Sequence, residues 1–428
     1  MNPTIQYLIV GSGAASAAAA KAIRSTDPSG TILIISQEIH RPYVRPLVVR
    51  DYLCQRCDRE RLFSFDQRWL TENAVVLRTG RRAAHLDPAR RLLILESGEE
   101  IAFATLLIAT GATPTPLDIP GHDLPGAFHL RTIDDADRLI NIIAQAQREG
   151  LKHERGRGRC AVIGAGALGV ELCATLLELG IAVDLVEKAP RPWSRFAGDA
   201  AGHFIAEELQ ARGVRLHLGA PPLRFEGDGR VQQVILANGG VLRVDFVVVA
   251  AGCTPDRRLV RGTPIRAERA ILTDERGRIS HPDIYAAGEC AAIFDPRFGK
   301  YRTLDHWGGA TLAGTIAGLN MAGTDARLSV HPHDDPGTFH SALFDLTLTA
   351  MGEARLADRR IVRANPKGSR RMLEFGIDPD GRIASLVAIG HEPAELDLPR
   401  RLVARRARVA SKEEQLRDPT APLEWLLG

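Results

Sequence analysis

Short runs that are wholly apolar, separated by glycine turns and helical stretches, predict strands buried on both faces over much of this chain. In residues 160–188, Ala161, Val162 and Ile163 predict a strand and Gly164, Gly166 and Gly169 a G-x-G-x-x-G turn; residues 170–179 predict a helix halted by Gly180. A second apolar run, 181–186, ends on Glu187. The chain opens on the same plan: a strand at 7–10, the turn Gly11-Ser12-Gly13-Ala14-Ala15-Ser16, an alanine-rich helix, a strand at 31–36, and Glu38. A small Ser16 stands where the third glycine would be, and it still permits close packing. Residues 74–108 alternate apolar runs with turns and predict an antiparallel excursion, closed by a strand that ends in Ala109, Thr110 and Gly111. Another strand, 245–252, ends in Ala251 and Gly252. Beyond residue 326 the pattern changes to short alternating strands at 344–352, 370–376 and 383–390, then a helical, basic tail.

The glycine turns carry chemistry. Gly164 permits the tight turn, Gly166 lets main chain approach a pyrophosphate, and Gly169 lets the helix sit close on the strand, with Leu168 inside the same turn. The helix N-terminus then receives the phosphates. Glu187 lies eighteen residues after Gly169. A carboxylate there accepts hydrogen bonds from both hydroxyls of an adenosine ribose and repels a 2'-phosphate, which favours NADH over NADPH. Such turns also occur for packing alone, but here strand, turn, helix, second strand and terminal acid fall in order. Two fingerprints about 150 residues apart mean two nucleotides, expected to be FAD and NADH.

A chain of 428 residues has room for two or three domains. With 55 Lys and Arg against 52 Asp and Glu the net charge is +3, which does not point to a nucleic-acid partner. No run reaches the roughly eighteen apolar residues of a membrane span, and the fold is expected to begin by Tyr7, leaving no room for a signal peptide. No membrane association and a cytoplasmic location are therefore expected. The six cysteines are scattered, so no disulfide framework is expected. Only Cys54 and Cys57 have C-x-x-C spacing; zinc would need two more ligands in a similar cluster, and no metal site is expected.

Residues 42–50, PYVRPLVVR, resemble the P-Y-x-R-P-P-L-S-K motif of the FAD-dependent, NADH-using ferredoxin and rubredoxin reductases and of apoptosis-inducing factor, within the pyridine nucleotide-disulfide oxidoreductase superfamily. The resemblance continues through residues 50–63, the Ala-Thr-Gly of 109–111, HPDIYAAGEC at 281–290 and RTLDHWGGA at 302–310, over almost the whole chain. It implies an α/β fold with two Rossmann-like dinucleotide-binding domains, glutathione-reductase-like, and a carboxy-terminal α+β domain near the flavin face. The expected bounds are 1–120 and 254–325 for a split FAD domain, 121–253 for an inserted NAD domain, and 326–428 for the third.

What the resemblance implies for single residues follows the same motifs. FAD is expected at Gly11, Gly13, Ala14, Ala15 and Glu38, with Arg45 along it and Ala109, Thr110 and Gly111 as a second contact. Arg50 stands where the family has a lysine beside the flavin, paired with a glutamate that corresponds to Glu171; a planar guanidinium replaces a point charge. Glu171, two positions after the last glycine, is expected to project from the first helical turn, where it also reads as an acid complementing a helix N-terminus. Arg131 matches an arginine near the flavin and equally reads as an ordinary helix-start residue. Gly164, Gly166, Leu168, Gly169 and Glu187 are expected at NADH, with the backbone of Ala251 and Gly252 facing the nicotinamide. Gly288 precedes Glu289, which replaces the aspartate that bonds the FAD ribityl chain, adding a methylene; the G-E-C variant also looks like the flavin domain of assimilatory nitrite reductases. Trp307 matches a tryptophan beside the isoalloxazine, and Asp305 stands for the usual glutamate. The start of that helix would stabilise negative charge on the reduced ring.

Residues 39–53 contain no cysteine, so the thiol relay of disulfide reductases and NADH peroxidases is absent there. The expected activity is therefore hydride uptake from NADH, the nicotinamide stacked over the flavin, with Arg50, Glu171 and Trp307 at the reacting edge and electrons delivered singly to an iron–sulfur or rubredoxin partner. The rivals are an NADH oxidase or quinone-type reductase, and an NADH-responsive interaction protein resembling apoptosis-inducing factor. A monomer or homodimer is expected. Six basic residues and no acid in 400–412 read as a solvated helix face or as a surface that steers an acidic partner.

Overall fold

Four apolar runs near the amino terminus become neighbours in one parallel sheet: Val75–Arg78, Ile32–Ile35, Ile5–Val10 and Glu100–Ile108, with Ile284–Ala286 joined to the last, also in parallel. Tyr7 stands opposite both Ile32 and Thr105, and Leu8 opposite Leu33 and Leu106. Side chains on both faces of this sheet are buried, which is why the runs are apolar without alternation. One face packs on the helices Ala14–Thr26 and Trp307–Met321, which meet through alanine and glycine and so approach closely. The other face is covered by Leu259, Val260, Ile265 and Ile271. Burying each of these larger aliphatic side chains contributes roughly 1.5–3 kcal/mol.

The computed structural model describes residues 4–154, 156–328, 335–364, 369–409 and 412–426. The chain forms two units. The first draws on Met1–Pro46, Asp58–Thr113 and Cys253–His331, the second on Leu47–Cys57, Pro114–Gly252 and Pro332–Gly428.

The second unit repeats the parallel plan, with strands in the order Arg215–Leu218, Ala182–Glu187, Arg159–Ile163, Phe246–Val249 and Ala127–His129. Its helices are Ile133–Glu149, Ala167–Glu178 and Asp199–Ala211. The first of them starts in a capping box between Thr132 and Asp135. A meander of Pro222–Glu226, Gln233–Leu236 and Val241–Arg243 joins the same core. The carboxy-terminal part is a five-stranded antiparallel sheet ordered Phe339–Leu343, Leu346–Gly352, Ile383–Ile389, Met372–Ile377 and Arg359–Ala364, followed by the helices Asp397–Ala404 and Glu413–Arg417.

Several expectations need correction. Val75–Arg78 belongs to the parallel sheet, so the antiparallel excursion comprises only Ala83–Asp87, Leu92–Leu95 and the start of Glu100–Ile108. An apolar run between turns carries no sign of direction; here the crossover helix Gln67–Glu72 sets it. The basic stretch at 400–412 is not one helix. The helix ends at Ala404, Arg406 sits at φ 50°, and Arg408 bridges to Arg382. Arg400 pairs with Asp397, and Arg406 with buried Asp378, so part of that charge is neutralised within the fold. Residues 410 and 411 lie outside the described residues.

Candidate functional site

Both glycine turns are built alike. Gly11 has φ +119° and Gly164 φ +108°, a region that side-chain-bearing residues rarely adopt. A Cβ on Gly11 would stand 2.1 Å from the carbonyl oxygen of Ala109, and one on Gly164 2.5 Å from that of Ala250. The strand ends that carry Ala109-Thr110-Gly111 and Ala251-Gly252 are thereby set against their respective turns. Thr110 is fixed by its hydroxyl donating to the Asp256 carbonyl at 2.8 Å. Ala14 and Ala15 are buried at the start of one helix, and Leu168 is half-buried at the start of the other.

The helices begin at Gly13 and Gly166, neither with a side-chain cap, and both positions face open space. Backbone amides at a positive helix end are thus left without a side-chain cap, which fits a pyrophosphate. The acids at the strand ends complete the fit to dinucleotides. Glu187 accepts from the Ala165 amide at 2.7 Å and the Ala189 amide at 2.8 Å, tying the strand end to the glycine turn. Glu38 is held otherwise: its two oxygens accept from Arg45 and from the Tyr43 hydroxyl, each at 2.7 Å. Tyr43 is buried and also accepts from Arg45 at 3.0 Å. Nothing in the spacing of the Pro-Tyr motif announced Tyr43, because a tyrosine's role rests on what its hydroxyl meets.

In the first unit, Gly288 lies against Ala15 at the helix start, with φ +80°; a Cβ there would be 3.2 Å from that of Ala15. Glu289 follows, close enough for its charge to act on Arg45. Trp307 is the first residue of its helix and packs, half-buried, on the core that holds Ala14, Ala15 and Ala310. His306 caps this helix through Nδ1, which accepts from the Gly309 amide at 3.0 Å.

In the second unit, residues 47–57 are riveted to two helices. Val48–Tyr52 forms a π-helical turn in place of a regular helix, a rare geometry that is frequent at functional sites. The Val49 carbonyl accepts from Thr175 at 3.2 Å, and Tyr52 donates to Asp137 at 2.6 Å. Arg50 lies 3.1 Å from Glu171, the pair anticipated from the sequence, and Arg56 pairs with Glu178. The helix starts at Ala167, three residues before its apolar pattern, so Glu171 is its fifth residue and not part of the first turn. Glycine's low helix propensity hid that start. Burial pushes the Glu171 carboxyl above its ordinary range, against the pull of Arg50 and of the Ala342 amide, which donates to it at 3.4 Å. Arg131 immediately precedes the Thr132 cap, and its backbone N–H donates to Asp135 at 3.0 Å.

Cys54 is half-buried, and burial raises its thiol above the ordinary range, which disfavours a reactive thiolate. Among the described residues no group of three or more His, Cys, Asp or Glu could hold a metal, and no helix is long and apolar enough to cross a membrane.

The sequence model of the family described as pyridine nucleotide-disulphide oxidoreductase matches residues 5–314. The biphenyl dioxygenase system ferredoxin–NAD(+) reductase component of Paraburkholderia xenovorans (strain LB400) is 30% identical over 98% of this chain and 97% of its own length. The rubredoxin-NAD(+) reductase of Pseudomonas putida is 27% identical over 84% of this chain and 89% of its own. Among solved structures, the ferredoxin reductase for the CYP199A2 system from Rhodopseudomonas palustris superposes with a TM-score of 0.89 at 26% identity, covering 99% of this chain and all of that one (100%).

Proposed function

The chain belongs to the pyridine nucleotide-disulphide oxidoreductase family, and from that premise we propose an FAD-dependent reductase that takes hydride from NADH and passes electrons singly to a ferredoxin- or rubredoxin-type partner. When bound, FAD accepts two electrons as hydride and releases them one at a time. The observation that carries this function is the duplicated turn: two uncapped helix starts, each below a glycine pressed by a strand-end carbonyl, each with an acid at or just beyond the neighbouring strand's end. The domain partition we propose is 1–120 with 254–325 for FAD, 121–253 for NADH, and 326–428 as the third domain.

The protein's own residues position and polarise. Gly11, Gly13, Ala14 and Ala15 would receive the FAD pyrophosphate, with Glu38 held by Tyr43 and Arg45 for the adenosine ribose. Ala109, Thr110, Gly111, Gly288 and Glu289 would line the rest of the FAD, and Trp307 with its helix start would stand at the flavin. Gly164, Gly166, Leu168, Gly169 and Glu187 would hold the NADH pyrophosphate and ribose, with Ala251 and Gly252 toward the nicotinamide. The Arg50–Glu171 pair and Arg131 are assigned to the reacting end. Hydride transfer needs no acid–base group, and none is assigned. The family's thiol relay has no place here, since residues 39–53 hold no cysteine.

Stopped-flow mixing tests this function. The purified yellow protein should be bleached by NADH far faster than by NADPH, and the reduced form should then reduce an added ferredoxin or rubredoxin. A colourless protein that takes up no flavin would refute it. Rapid oxygen consumption with no reduction of either carrier would move the acceptor to a small molecule.

A further inference from the structure

The residues that follow Glu187 run beside the glycine turn of the second unit, and the carboxy-terminal sheet holds them there. Trp193 is fully buried at φ 55°, a conformation that a bulky residue keeps only when its surroundings impose it. Its backbone N–H donates to the Ala165 carbonyl, inside the turn, at 2.9 Å. Its ring lies 5.6 Å from that of Phe196 and 5.5 Å from that of Phe339, which belongs to the sheet. Arg360, also from the sheet, donates to the Phe196 carbonyl at 3.3 Å.

The clasp that finishes this arrangement is a carboxylate. The helix Asp199–Ala211 starts at Gly198, which offers no side chain to cap it. Glu374, on Met372–Ile377 and 0% exposed, supplies the cap from another part of the chain: one oxygen accepts from the Gly198 amide and the other from the Ala201 amide at 3.1 Å. A Cβ on Gly198 would stand 2.8 Å from a Glu374 oxygen and 2.9 Å from Arg360, so the helix start is shaped to this partner. A carboxylate is costly in a buried sheet, and a leucine would fill the space. What the carboxylate alone adds is two acceptors aimed at two amides of a positive helix end.

We propose that Glu374 is a positioning residue for NADH: from the carboxy-terminal sheet it holds residues 188–198 against the Gly164–Gly169 turn, and so keeps the adenosine half of the site in shape. The proposal rests on the assignment of the second turn to NADH. Its test uses the full-length holoprotein with Glu374→Gln, Glu374→Ala and Gly198→Ala. Flavin reduction is followed by stopped flow across NADH concentrations, together with FAD content and calorimetric binding of ADP-ribose. The apparent Kd for NADH and for ADP-ribose should rise roughly three- to tenfold, the loss of one to two hydrogen bonds, while the limiting reduction rate and FAD content stay unchanged. Unchanged Kd values beside a lowered melting temperature would overturn it, leaving Glu374 a purely structural cap. Should Glu374→Ala not fold, Glu374→Gln decides, since it keeps the volume and one acceptor. If NADH does not reduce even the unsubstituted protein, the proposed function fails, and ADP-ribose affinity across the variants still decides the role of Glu374; absence of ADP-ribose binding to the unsubstituted protein would overturn that role too.

Discussion

Replacing Arg50 by methionine removes the partner of a carboxylate that cannot easily return to water. The Glu171 side chain is 13% exposed and that of Arg50 39%. Without the guanidinium, Glu171 keeps among the described residues one long hydrogen bond, from the Ala342 amide at 3.4 Å. Breaking a fully buried pair costs about 3–5 kcal/mol; because water reaches the arginine side of this one, about 2 kcal/mol is expected. Glu171→Gln, which removes the charge itself, should cost less than about 1 kcal/mol, and the double variant should sit close to it, giving a coupling of about 2 kcal/mol in the cycle. The loss should also depend on pH. The folded-state pKa of Glu171 is raised above its ordinary 4.5, so the stability this group contributes is fully present below that value and is lost as pH rises through the raised one. In Arg50→Met the opposing pull is gone and the loss deepens. Urea unfolding followed by tryptophan fluorescence should therefore show a deficit that is small near pH 4 and complete at neutral pH. Equal deficits at both pH values, or an Arg50→Met protein as stable as its parent, would refute the reasoning.

Other substitutions probe the remaining parts. Gly164→Ala places a Cβ 2.5 Å from the Ala250 oxygen at φ +108° and should weaken NADH binding at least about tenfold while the protein stays yellow, as read by stopped flow and the flavin spectrum. Glu187→Ala frees the Ala165 and Ala189 amides and should lower kcat/KM for NADH about tenfold, narrowing the preference over NADPH in steady-state assays. Tyr43→Phe removes a 2.7 Å hydrogen bond to Glu38 and should raise the Kd for FAD about fivefold in reconstitution titrations. Replacing Cys54 and Cys57 together by serine should leave electron transfer to the carrier unchanged; a loss would revive a thiol role.

The two dinucleotide turns, the acids that follow them, and the alternation of strands and helices were legible because they are local. A turn at positive φ demands glycine, a strand covered on both faces is uniformly apolar, and the acid proposed for the ribose falls at a set distance from its glycines. The Arg50–Glu171 pair was legible only through resemblance, since 121 positions separate its members. Three things had no local signature. The direction of Val75–Arg78 depends on a crossover, not on its residues. The strands Phe339–Leu343 and Arg359–Ala364 went unanticipated, since serine, histidine and arginine interrupt their apolar patterns. The hold of Tyr43 on Glu38, and of Glu374 on the start of a helix 173 residues before it in the chain, arises from hydrogen bonds whose partners are distant in sequence. Backbone conformation and burial are imposed residue by residue and leave their mark on composition. Which acceptor meets which donor is decided only when the chain is folded, because a buried polar group must find its partner wherever packing has brought one.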